Sequence, residues 1–152
     1  MGIIQEENIF LHQSLSTQKE AFEFLARQAV ALGISADEQQ VYQKLVAREN
    51  EGTTGMMDGF AIPHAKDQSI KDPSILIVTL DQGIEWNSMD GQRINFVIAW
   101  FIPDSEAGTT HLKLLSAVAR LLMRNEVTEQ LKVAQTKTEI ATLLNEKIGE
   151  NE

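Results

Sequence analysis

The 152-residue chain contains no cysteine. That absence removes disulfides, thiolate nucleophiles, iron–sulfur ligation and thiolate zinc sites together, and it fits a reducing compartment such as the cytoplasm. A leader with a basic start and an apolar stretch is missing too, since Met1 to Phe10 carries Glu6 and Glu7. No apolar run approaches the ~20 residues that cross a bilayer, so export and membrane insertion are both disfavoured. Positive charge is scarce. Thirteen Lys and Arg against 22 Asp and Glu leave a net charge of -9, which argues against a nucleic-acid partner and for a basic protein surface. There is no linker, internal repeat or low-complexity segment. With 43% hydrophobic and 23% charged residues, residues 1–152 are expected to form a single domain able to bury a sizeable core.

What is present is ordered punctuation. Asn8 to His12 reads as a short strand. Thr17 and Glu20 have capping-box spacing, Phe22, Leu25, Ala29 and Leu32 recur at helical intervals, and Gly33 supplies a left-handed stop. Ser35 and Glu38 repeat the capping signal before a stripe of Val41, Tyr42, Leu45 and Val46, which puts Arg48 at the edge of that stripe near the helix end. Glu51 to Gly59, with three glycines, reads as a loop, and Pro63 interrupts the apolar Phe60-Ala61-Ile62 so that His64 falls just beyond a strand end. Ser74–Leu80 and Ile94–Ile102 read as buried strands joined through an Asp90-Gly91 turn. Thr109 or Thr110 caps a third, largely buried helix, and Val127–Val133 and Ile140–Ile148 suggest two more. The simplest architecture is a sheet with helices on both faces.

Three histidines are available for chemistry. His12 has no attractive polar neighbourhood and is given no role. His64 leaves an apolar strand on a fixed proline, and His111 stands at a helix start, where exposed N–H groups favour an anion. Each also has an ordinary structural reading. Arg48 could pair with Glu51, and Thr54 could be a turn residue. Taken together, Arg48, Thr54, His64 and His111 suit a phosphoryl group: a neutral imidazole nitrogen attacks phosphorus while a guanidinium fork, a second imidazole and a hydroxyl hold its oxygens. No P-loop or kinase pattern is present, and no nucleotide or other cofactor is expected. A metal site using the two histidines with Asp58 or Asp90 lacks any ligand spacing signature, and a hydrolase lacks the Gly-x-Ser-x-Gly elbow. Met56, Met57 and Phe60, beside His64's loop, are expected to form a small apolar docking platform.

Arg48-Glu49, Thr54-Gly55, Gly59-Phe60-Ala61-Ile62-Pro63-His64-Ala65-Lys66, Trp86 through Asp90-Gly91, and His111-Leu112-Lys113-Leu114-Leu115 are similar, in order and spacing, to motifs of the fructose/mannitol-type enzyme IIA domain of the bacterial phosphoenolpyruvate-dependent sugar phosphotransferase system. The resemblance runs from the first helix to about Leu144. It implies a three-layer α/β/α sandwich with a mixed central sheet, with phosphorylation of His64, normally on Nε2, and supporting roles for His111, Arg48 and Thr54. By the same resemblance, the phosphocarrier protein HPr is the donor and an enzyme IIB domain is the acceptor, with a membrane IIC component reached only through IIB. Lys66 after Pro-His-Ala resembles the fructose branch more than the mannitol branch, and a close variant of the motif occurs in nitrogen-related regulatory IIA proteins. No IIB or IIC segment follows within this chain, so other chains are expected to supply them.

Overall fold

In the computed structural model, which describes residues 3–105 and 109–150 with the side chains of 109–112 left aside, the first half of the chain runs β1 (Ile9–Gln13), α1 (Gln18–Ala31), α2 (Glu38–Glu51), β2 (Phe60–Ala61) and β3 (His64–Asp67). The second half adds β4 (Ser74–Ile84), β5 (Ile94–Pro103), α3 (Thr109–Leu121), α4 (Asn125–Val133) and α5 (Lys137–Glu150). Thr17 caps α1 as its spacing requires: its hydroxyl accepts the Glu20 N–H at 3.1 Å. The Glu20 carboxylate accepts the N–H of Ser16 at 2.9 Å, so the box closes one residue before the cap itself. Gly33, at φ 76°, turns the chain out of α1. For α2 the expected cap is wrong. Asp37 accepts the Gln40 N–H at 3.1 Å, whereas buried Ser35 is engaged with the Asp37 N–H and the Ser69 hydroxyl. A serine already committed to those partners cannot also cap the helix.

The sheet runs β1-β4-β5-β2, with β3 also pairing β5. β1 is parallel to β4, β4 is antiparallel to β5, and β2 and β3 both run parallel to β5. Alternation along the strands sends side chains to two cores. Leu76, Ala99 and Phe101 pack with Phe22, Leu25, Val41 and Leu45 of α1 and α2. On the opposite face, Ile77, Ile98 and Trp100 pack with Val118, Leu131 and Leu144 of α3, α4 and α5. This is the expected α/β/α sandwich with a mixed sheet. The face of α3 is narrower than expected: Ala117, Val118 and Leu121 are buried, but Leu114, Leu115 and Ala119 are only half-buried.

Pro63 breaks the edge strand without diverting it. Its carbonyl accepts the Trp100 N–H at 3.0 Å, so the register passes from Ala61–Val97 to His64–Trp100 along one side of β5. His64 therefore opens β3 and does not hang past a strand end. The other side of this edge is covered by the preceding loop, through Ile62 N–H to the Thr54 carbonyl at 3.0 Å and Met56 N–H to the Phe60 carbonyl at 2.7 Å. Phe60 belongs to the core. It is 0% exposed and lies 4.7 Å from the Phe96 ring, which removes it from the expected docking platform. Met56 is half-buried, leaving Met57 as the exposed member of that trio.

Candidate functional site

The last turn of α2 points Arg48 toward the helix C-terminus, where orphan carbonyls and the dipole favour a cation. Its Nη1 donates to the Gly52 carbonyl at 2.8 Å, which anchors the guanidinium. From that anchor Nε donates to Nε2 of His64 at 2.9 Å. His64 is half-buried at the start of β3, and its Nδ1 lies 3.2 Å from the carbonyl of Ile62. The two contacts assign the tautomer: Nδ1 carries the hydrogen and donates it to Ile62, and Nε2 holds the lone pair that accepts from Arg48. Burial pushes the His64 pKa below its ordinary 6.5, the Ile62 hydrogen bond opposes that, and the Arg48 charge adds to the lowering. The ring is thus neutral at neutral pH, with its unprotonated nitrogen at Nε2.

The carboxylate next along α2 is absent from the roles assigned by sequence. Glu49 is half-buried, and its Oε2 accepts from the Thr53 hydroxyl, the Thr54 N–H and the Trp86 indole Nε1–H, each at 3.0 Å. Its other oxygen accepts the Thr54 hydroxyl. Thr54 is buried, spends its hydroxyl on Glu49, and offers its carbonyl to Ile62, two residues before His64. Thr54 therefore connects to His64 through backbone. The neighbouring Gly55 permits close packing, since a Cβ there would lie 2.9 Å from both the Ser88 Cα and the Trp86 ring. The pattern Glu-x-x-x-Thr-Thr was a usable signal for this hub, because a carboxylate at a helix end commonly meets donors of the following turn. Nothing in the sequence pointed to Trp86 as the fourth donor, which comes from 37 residues away.

His111 falls in the first turn of α3, but its side chain lies outside the described residues. Of the four expected site residues, Arg48 and His64 are brought into contact and Thr54 is tied to the same segment. His12 stands apart on β1, 3.2 Å from Asp81. Among the described residues no three His, Asp or Glu side chains are grouped to hold a metal ion. A cleft of about 810 Å³ opens beyond Glu49 and Trp86, and His64 is not among the residues that line it. His64 Nε2 sits at a sheet edge instead.

Residues 2–147 match the family described as phosphoenolpyruvate-dependent sugar phosphotransferase system, EIIA 2. The chain belongs to that family. A fructose-specific EIIA component of Haloferax volcanii is 34% identical over 140 residues, 92% of this chain and 90% of that protein. A nitrogen regulatory protein of Bradyrhizobium diazoefficiens is 32% identical over 93% of this chain and 92% of its own length. A 2-O-alpha-mannosyl-D-glycerate-specific EIIABC component of Escherichia coli is 29% identical over 97% of this chain, which spans only 22% of that longer protein. Among solved structures, the IIA-Ntr protein of Neisseria meningitidis superposes with a TM-score of 0.86 at 24% identity, covering 93% of this chain and 96% of that one. Enzyme IIA of the E. coli mannitol system, in its complex with phosphorylated enzyme IIB, gives 0.75 at 22% identity, covering 91% and 94%. At those identities the two structures share the fold. Among the described residues no helix of this EIIA chain is long and apolar enough to cross a membrane. EIIA domains are phosphotransferase components that carry the phosphoryl group on a histidine.

Proposed function

We propose that this EIIA chain, as one unit over residues 1–152 in the cytoplasm, accepts a phosphoryl group from phosphorylated HPr on Nε2 of His64. It then passes the group to an enzyme IIB domain, and through IIB to a membrane IIC component, in sugar uptake of the fructose type. The observation that carries the reading is the paired fixation of His64, with Nδ1–H held by Ile62 and the Nε2 lone pair facing a guanidinium 2.9 Å away. In the transfer, that lone pair forms the new N–P bond as the donor's N–P bond breaks, and the donor imidazole leaves with its electron pair. His64 keeps its Nδ1 hydrogen throughout, and Ile62 stabilises the charge the ring gains. Arg48, displaced from Nε2, is within reach of the equatorial oxygens of the arriving group. His111 is assigned a second donor role, and Thr54 a supporting one through backbone. Intact-mass measurement after incubation with phosphoenolpyruvate, enzyme I and HPr tests this: one acid-labile phosphate on the protein and none on His64→Ala is expected. Phosphate retained on the variant overturns the assignment.

The 32% identity to a nitrogen regulatory protein along nearly the whole of both chains favours a second reading, in which the phosphorylation state of His64 controls a protein partner instead of feeding a transporter. Complementation with cognate IIB and IIC chains separates the two. Restored sugar phosphorylation supports transport, and phosphorylation without restoration supports regulation.

A further inference from the structure

Glu49 looks at first like a natural ion-pair partner for the arginine beside it. The geometry is different. Its two oxygens receive four donors, the Thr53 hydroxyl, the Thr54 N–H and the Trp86 indole N–H on Oε2 and the Thr54 hydroxyl on Oε1, and none of them comes from Arg48. Among the described residues, Arg48 donates to the Gly52 carbonyl and His64 and forms no ion pair with any carboxylate. The consequence for phosphoryl chemistry is direct: the guanidinium charge stays uncommitted and available to an incoming dianion.

The four bonds to Glu49 also fix backbone. They draw residues 53 and 54 back onto the last turn of α2, while the Gly52 carbonyl in the same loop anchors Arg48. The Thr54 carbonyl then receives the Ile62 N–H, and the Ile62 carbonyl receives Nδ1–H of His64. The chain of contacts thus reaches both members of the reactive pair from one carboxylate. Trp86, 8% exposed and packed edge-on against Phe22 at 5.5 Å, ties the other end to the core of α1.

We infer that Glu49 is a positioning residue for phosphoryl transfer: its four-times hydrogen-bonded carboxylate holds the loop that anchors Arg48 and aligns His64, and it acts through hydrogen-bond geometry and not through its charge on the phosphoryl group. This rests on His64 as the acceptor proposed above. Displacements of about 1 Å in such a constellation can cost about a hundredfold in rate.

Two substitutions separate geometry from charge. Glu49→Gln keeps the length: its amide oxygen can take the three donors at the Oε2 position, and its NH2 can donate to a Thr54 hydroxyl that reverses its role. Glu49→Asp keeps the charge, but one methylene fewer cannot reach all four donors. Single-turnover transfer from phosphorylated HPr, followed by rapid quench over a donor concentration series, is expected to leave Glu49→Gln within about fivefold of the unsubstituted protein. Glu49→Asp is expected to slow about tenfold to a hundredfold in the maximal rate, with little change in the concentration dependence. A second readout needs no transfer. In the unphosphorylated protein, NMR of the Arg48 Nε–H and the Trp86 indole N–H should show both protected in Glu49→Gln and both exchanging rapidly in Glu49→Asp. Circular dichroism serves as the fold control. Glu49→Asp with an unchanged rate and a protected Arg48 Nε–H overturns the inference, as does Glu49→Gln as slow as Glu49→Asp. Phosphate found on His64→Ala would instead overturn the acceptor assignment, and the NMR result would still report whether Glu49 positions Arg48.

Discussion

The guanidinium Nε–H of Arg48 occupies the lone pair of His64 Nε2, 2.9 Å away, so the nitrogen proposed to accept phosphate is aligned and covered by the group proposed to hold it afterwards. On the proposed assignment, phosphorylation exchanges one partner of Arg48 for another, with the guanidinium already tethered at Gly52.

Arg48→Ala should leave His64 able to accept phosphate but slow its arrival by about a hundredfold to a thousandfold, the range for losing one preorganised donor. Arg48→Lys should recover little, because a point-charge ammonium cannot serve Gly52 and the phosphoryl oxygens in the arginine's fork geometry. Rapid-quench transfer measures both. Rates within threefold of the unsubstituted protein would remove Arg48 from the reacting site.

The depressed pKa of His64 makes a signed prediction about pH. The fold disfavours the protonated ring, so the stability linked to neutral His64 is fully present above its ordinary value of 6.5 and is lost as pH falls from there through the lowered folded value. Denaturant titrations between pH 7.5 and 5 should show a slope that His64→Gln lacks. The capacity to accept phosphate should persist somewhat below pH 6.5, because the neutral ring does.

Phe60 and Met57 should respond oppositely to truncation. Phe60 is fully buried against Phe96, so Phe60→Ala should cost about 3–5 kcal/mol in urea titrations. Met57 is 36% exposed, and Met57→Ala should stay within about 0.5 kcal/mol while remaining free to affect encounter with HPr or IIB. Equal losses would mean that the loop is packed differently.

The two tryptophans offer a matched comparison. Trp86 donates its indole N–H to the Glu49 carboxylate, whereas buried Trp100 Nε1 has no hydrogen-bond partner among the described residues. Both lose similar volume on change to Phe, but only Trp86→Phe removes a bond to a charged group. It should be the more destabilising by about 1–2 kcal/mol, as read from thermal or urea unfolding. The reverse order would show that Trp100 Nε1 finds a partner after all.

Much of this architecture was legible because local chemistry and tertiary need coincide. Thr17 with Glu20, the stop at Gly33, and the Val41–Leu45 stripe each name a physical requirement that the fold then meets. Asp37 displaced Ser35 as the cap of α2 because Ser35 is bonded to Ser69, a contact that sequence spacing does not reveal. Phe60 misled for a similar reason: a glycine-rich loop next to an apolar residue suggests exposure, and only pairing with β5 buries it. At the site, Arg48 and His64 were readable as a pair by chemistry. Glu49 was not singled out, since the donors that converge on it include Trp86 from across the fold.

The loop that covers the outer edge of β2 has a consequence for how partners meet this protein. An uncovered sheet edge is a template for another chain's strand, and such pairing is difficult to reverse. Here the Phe60 carbonyl and the Ile62 N–H are already taken by Met56 and Thr54, and Gly55 bridges antiparallel to Ala61. Backbone annealing at that edge is therefore blocked beside His64. A visiting protein cannot add a strand there and has to engage that edge through side chains, which favours brief encounters.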